Sequence, residues 1–115
     1  MRRGEIWLID LDPAKGSEAS KKRPAVIVSN NGANATATRL RRGVLTVVPV
    51  TSNTARVYPF QVLLPKGTTG LEHESKAQAE QVRSVDVERI QHRMGYLPGP
   101  ILTLLDEALR IHLGL

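Results

Sequence analysis

The apolar positions of this chain come in short runs separated by glycine, proline and polar clusters. Glu5-Ile-Trp-Leu-Ile-Asp10 is rich in β-formers and stops at Asp12-Pro13, which predicts a first strand. Pro24 to Ser29 predicts a second, its proline at the first position, where no ladder donor is lost. Val44 to Val50 is near-continuously apolar, the pattern of a central strand, with Pro49 marking a bulge or its end. Tyr58 to Leu64 predicts a fourth strand, Ser75 to Val85 divides into two short ones, and Met94 to Leu97 gives a last. Asp86 is placed to N-cap one helical turn over residues 87–90. The polar stretch 12–22 reads as a long loop, of the kind that is usually functional or mobile. Asn30 to Thr38, rich in Asn, Ala and Thr, reads as a loop or one ragged helical turn.

At the C-terminus the period changes. After Pro98-Gly-Pro100, apolar Ile101, Leu104, Leu105, Ala108 and Ile111 recur at spacings of three and four, and Gly114 ends the helix. Leu102, Leu109 and Leu113 add a second apolar flank, which predicts packing on a sheet plus contact between subunits. Together these elements predict a mainly β fold of the α+β kind: a small, strongly bent β-barrel or half-barrel with appended helices. A length of 115 residues fits one domain over 1–115.

Charge adds a partner class. The formal net charge is +5 and the sequence pI near 10.1, a balance that favours a polyanion, nucleic acid first. It is unevenly placed: residues 1–56 hold ten Lys/Arg against four acids, clustered at 21–23 and 39–42, while residues 57–115 hold six against seven. One Trp, two Tyr and one Phe are too few for a reader that stacks several bases on an aromatic platform. With no cysteine there is no disulfide framework, thiolate metal site or cysteine nucleophile, and a reducing cytoplasm fits. The early apolar run Ile6–Ile9 is too short for a signal peptide or a membrane span.

The candidate chemistry is narrow. His73, His92 and His112 lie about twenty residues apart with no metal-ligand spacing, so neither a metal nor a cofactor is expected. His73 falls in a predicted turn and His92 before a short strand, which argues against a converging acid/base pair. Gly67-Thr-Thr-Gly70 is a turn and no phosphate cradle. What remains is Gly16-Ser-Glu18, Lys22-Arg23-Pro24, Thr51-Ser-Asn53 and Glu80-Gln-Val-Arg-Ser84. These offer a guanidinium at a strand mouth, hydroxyls at a second strand end and a carboxylate on the first loop. A guanidinium clamps a phosphate bidentately, and a hydroxyl bonds a developing phosphorane oxygen. Taken singly, Arg23 also reads as a surface charge before a proline, and Thr51 and Ser52 as turn formers.

In order, these segments resemble the MazF/PemK-type toxin family, the sequence-specific endoribonucleases of bacterial toxin–antitoxin pairs. The matching pieces are Arg3-Gly-Glu-Ile-Trp7, Asp10-Leu-Asp-Pro13, Gly16-Ser-Glu18, Arg23-Pro-Ala-Val-Ile-Val-Ser-Asn30, Val50-Thr-Ser-Asn53, Tyr58-Pro-Phe-Gln-Val62 and Glu80-Gln-Val-Arg-Ser84. The resemblance implies an SH3-like barrel with a C-terminal helix, a homodimer, metal-independent cleavage of single-stranded RNA, and inhibition by a cognate MazE-like antitoxin. Carried over position by position, it makes Arg23 and Thr51 catalytic, with Glu18, on the first loop where some members need a glutamate, as the third member. It places Lys22, Asn34, Ser52, Gln81 and Arg83 at or beside RNA contacts. A subgroup built on arginine, aspartate and histidine finds no matching Asp/His pair near Glu80–Asp86. Two other readings stay open: a non-catalytic toxin of the same barrel, of the gyrase-binding CcdB type, and a non-catalytic RNA-binding barrel. The first relies on an aromatic C-terminal end, whereas this chain ends Leu113-Gly-Leu115.

Overall fold

Strands β1 (Glu5–Asp10), β2 (Lys22–Ile27) and β3 (Val44–Thr51) form an antiparallel meander, with helix α1 (Asn31–Leu40) between the last two. Then follow β4 (Gln61–Leu64), β5 (Ser75–Gln78), β6 (Arg83–Asp86), β7 (Ile90–Tyr96) and helix α2 (Gly99–Leu113), with short 3-10 turns at Ala79–Gln81 and Val87–Arg89. This is a computed structural model, and it describes residues 1–19 and 21–115. The sheet order is β4-β5-β3-β2-β1-β7, with β6 paired to β3, and every pairing is antiparallel.

The continuous apolar runs of β2 and β3 reflect burial on both faces. Ala25, Ile27, Leu45 and Val47 face one core with Ile9, Leu11, Val85 and Ile90. Val26, Val48 and Val50 face a second core with Ile6, Val62, Leu64, Leu105 and Ala108, under α2. β3 is the hub: one edge pairs with β2, and the other pairs first with β6 over Val44–Val47 and then with β5 at Val50 and Thr51. Pro49 neither bulges nor ends the strand. It sits where that edge changes partner and has no ladder neighbour on it, so its missing N–H breaks no pairing there.

The curled sheet is fastened by a loop. Residues 68–70 lie against β7, with the Tyr96 N–H donating to the Thr68 carbonyl at 3.1 Å. The approach is close enough that a Cβ on Gly70 would stand 2.0 Å from the Met94 carbonyl oxygen, and one on Gly95 2.4 Å from the Thr68 carbonyl oxygen.

Several expected elements differ in extent. The Asn30–Thr38 stretch is a full helix, because the Asn30 side chain accepts from the Ala33 N–H and Arg41 closes the end in the left-handed region at φ 51°. It shows no apolar stripe since only Asn34 and Ala37 are buried. The fourth strand begins at Gln61 rather than Tyr58, because Tyr58 and Phe60 stack at 5.3 Å in a turn closed by the Gln61 N–H on the Tyr58 carbonyl. The last strand starts at Ile90, and its exposed Gln91, His92 and Arg93 hide it from an apolar pattern. Asp86 caps its turn as expected, accepting from the Glu88 N–H. In α2 the core face centres on Leu105 and Ala108, with Ile101, Leu102 and Leu109 half-buried beside them. Leu102 and Leu109 therefore belong to the core, and the exposed apolar flank is Leu104, Ile111 and Leu113. The N-terminus is tied to this helix by Arg3, which pairs with Asp106 at 2.6 Å and donates to the Val28 carbonyl.

Candidate active site

A cavity of about 380 Å³ opens where the start of β2 meets the end of β3. Lys21, Lys22 and Arg23 enter it from the β2 side, and Val50, Thr51 and Ser52 from the β3 side. The loop that follows β4 supplies the third wall through Leu71, Glu72 and His73, and Met94 of β7 closes the floor. Adjacent antiparallel strands bring Arg23 and Thr51 together although 27 intervening residues separate them in the chain. Three cationic groups face one carboxylate, Glu72, so the cavity is electropositive and suits a phosphodiester.

The entrance is shaped by backbone. Lys21 is held in the left-handed region at φ 67°, its N–H donating to Asp12 at 2.8 Å while its carbonyl accepts from the Leu11 N–H. Among non-glycine residues that conformation is uncommon, and it clusters at functional sites.

The other expected site residues divide. Lys22 and Ser52 line the cavity with Arg23 and Thr51. Glu18, Gln81 and Arg83 line a different groove, also of about 380 Å³. There Glu18 accepts from the Lys15 N–H, and Gln81 pins the loop by accepting from the Ala19 N–H and donating to the Ser17 carbonyl. The structure thus separates Glu18 from Arg23 and Thr51. Asn34 is fully buried: its amide donates to the Ser29 carbonyl and its oxygen accepts from the Ser29 hydroxyl, which in turn accepts from the Thr46 N–H. It holds α1 to β3 and is not exposed to RNA. The basic run 39–42 lies beyond the opposite end of β3 from Thr51, an eight-residue strand about 25 Å long, so the basic half is not one surface.

Sequence reasoning missed Glu72 and His73. The turn before them was legible, but not that Gly70 brings it against β7, with the following residues lining the cavity that Arg23 also lines. Among the described residues no group of three or more His, Asp or Glu side chains is arranged to hold a metal ion. No helix there is long and apolar enough to cross a membrane.

The fold is a small SH3-like barrel with a guanidinium and paired hydroxyls at one electropositive mouth, chemistry that suits an anionic group. The chain belongs to the family of PemK-like, MazF-like toxins of type II toxin–antitoxin systems, whose model matches residues 2–113. It is 65% identical over 115 residues to endoribonuclease MazF9 of Mycobacterium tuberculosis, covering 100% of this chain and 98% of that protein. The fold matches MazF from Deinococcus radiodurans with a TM-score of 0.83 at 27% identity, over 100% of this chain and 97% of that one. A mycobacterial endoribonuclease solved with its cognate antitoxin shares the fold at a TM-score of 0.78 and 22% identity, over 100% and 96% of the two chains.

Proposed function

We propose that residues 1–115 form one toxin domain that cuts single-stranded RNA at a specific sequence, arresting translation and growth until a cognate antitoxin binds. The observation that carries this reading is the meeting of Arg23, Thr51 and Ser52 at one electropositive cavity, supported by the 65% identity to a protein named endoribonuclease.

The reaction follows from what the cavity holds. The ribose 2′-OH attacks its own 3′ phosphate, giving a 2′,3′-cyclic phosphate and a free 5′-OH. The nucleophile is intramolecular and already near its target, so positioning and charge stabilisation suffice without a metal. Arg23 clamps the phosphate and neutralises the pentacoordinate state, and Thr51 and Ser52 donate to the phosphoryl oxygens. Lys22 steers the strand inward. The separate groove of Glu18, Gln81 and Arg83 takes the flanking nucleotides. That assignment gives Glu18 a binding role rather than a share in the chemistry.

The test is incubation of pure protein with mixed RNA in excess EDTA, followed by mass spectrometry of the ends. Discrete fragments with 2′,3′-cyclic phosphate and 5′-OH are expected, and Arg23→Ala should lower the rate by about 100-fold or more. Ends bearing 5′-phosphate, or loss of activity in the chelator, would overturn the mechanism.

A further inference from the structure

Cleavage by a 2′-OH needs a group that takes its proton, and neither Glu18 nor Arg23 is suited to it. Glu18 lies in the other groove. A guanidinium keeps its proton below about pH 12 and is a poor base. Of the cavity's titratable groups, Lys21, Lys22 and Arg23 come from the β2 side, and Glu72 and His73 from the loop; β7 contributes the uncharged Met94. Proton donors are plentiful there, and groups with a basic lone pair are two. A carboxylate, ordinarily titrating near about 4.3, is the weaker base at neutral pH; an imidazole is matched to it.

We propose that His73 is the catalytic base of this cavity, accepting the 2′-OH proton as that oxygen attacks phosphorus. This rests on the endoribonuclease reading above.

The backbone supports such a role. Leu71, two residues before, is buried in the core under α2, and its N–H approaches the buried Thr69 hydroxyl, which donates to the Pro65 carbonyl at 2.5 Å. Two residues after, buried Ser75 donates its hydroxyl to the His73 carbonyl at 2.9 Å. The exposed His73 side chain therefore stands on a short segment anchored at both ends, the preorganisation a proton-transfer group needs.

The step balances without a co-reactant. The 2′ O–H proton passes to the imidazole, the O2′–P bond forms, and the P–O5′ bond breaks. The departing 5′ oxygen takes a proton from a lining ammonium, and solvent then restores both groups.

The experiment is single-turnover cleavage, at about pH 5 to 9, of an RNA oligonucleotide spanning a mapped cut, by wild type, His73→Gln and Glu72→Gln. The wild-type kcat/KM should rise with pH through the range of about 5 to 8 in which imidazoles titrate, then level. His73→Gln should lose that rise and fall about 100- to 10,000-fold at the plateau, with little change in KM. Glu72→Gln should keep the rise. Added imidazole should restore part of the activity of His73→Ala, in proportion to its unprotonated fraction. His73→Gln within threefold of wild type, or one that keeps the pH rise, overturns the proposal and leaves the endoribonuclease reading standing. A wild type that leaves RNA intact overturns that reading and the proposal with it.

Discussion

The fastening of loop 68–70 to β7 can be tested by adding one methyl group. Gly70→Ala meets two penalties that other glycines separate. Its φ is +72°, where a Cβ costs about 1–2 kcal/mol. Its Cβ would also stand 2.0 Å from the Met94 carbonyl oxygen and 2.5 Å from the carbonyl carbon, so one backbone must retreat by more than an ångström or so. Overpacking of that kind costs about 1–3 kcal/mol. Gly114 has the same φ of +72° with nothing within 4 Å of its Cβ, and so isolates the first penalty. Gly95, whose φ is not positive and whose Cβ would meet Thr68 and Thr69 at 2.4 Å, isolates the second.

The expected losses are about 1–2 kcal/mol for Gly114→Ala, about 1–3 for Gly95→Ala, and about 2–5 for Gly70→Ala. The last is a large share of a typical domain's 5–15 kcal/mol or so. Urea titration with unchanged m-values measures them, and thermal melts should show about 4 °C per kcal/mol for a chain of this size. Because the same loop carries Glu72 and His73, cleavage by Gly70→Ala should fall further than its folded fraction explains. Gly70→Ala no less stable than Gly114→Ala would refute the close approach as the source of its cost.

Glu5 accepts from the Arg2 N–H and the Trp7 indole and pairs with Arg93 at 3.0 Å. Burial raises its pKa, but these bonds and the Arg93 charge together lower it below its ordinary 4.5. Its stabilisation is thus full above about pH 4.5 and lost as pH falls through the lowered value. Glu5→Gln should therefore narrow its stability gap to wild type between pH 7 and 3 in urea titrations. Asn34→Ala should cost about 1–3 kcal/mol by removing a buried amide and its two bonds to half-buried Ser29, while leaving RNA affinity of the folded protein unchanged by filter binding. Leu104 and Ile111 are exposed beside Leu63 of β4, with exposed Leu113 further along the same helix, and an apolar patch so placed suits a symmetric dimer. Light scattering should give about twice the 12.6 kDa chain mass, and Ile111→Lys should shift it towards monomer.

Where the sequence was legible, burial and hydrogen bonding agreed. β1, β2 and β3 show as apolar runs because the last two are covered on both faces, and α2 shows its period because one side is sealed on the core. The phase of α2 was not legible. Leu102 and Leu104 are chemically alike and either could join the apolar stripe, and only the packing of the folded chain, which sets Leu102 against Gly4, half-buries Leu102 and leaves Leu104 exposed. Helix α1 was hidden because its folding rests on caps and on Asn34, a polar residue buried for its bonds to Ser29. Arg23 and Thr51 were found by motif. That they share a cavity follows from the antiparallel pairing of β2 and β3.

His73 was hidden for a different reason. Its own neighbours in sequence say turn, and turn it is; what gives it a place in the cavity is the approach of Gly70 to Met94 and Gly95, residues more than twenty positions away. The same contact fastens the curled sheet to β7, so closing the barrel and completing the third wall of the site are one structural event. Such an arrangement links stability to chemistry in a particular way. Loosening the fastening should move Glu72 and His73 while leaving Arg23 and Thr51 on strands whose pairing does not depend on it, with Ser52 next to Thr51. A fastening variant should therefore still bind RNA at the phosphate clamp yet cleave it slowly, falling in kcat with KM held, whereas Arg23→Ala should weaken both.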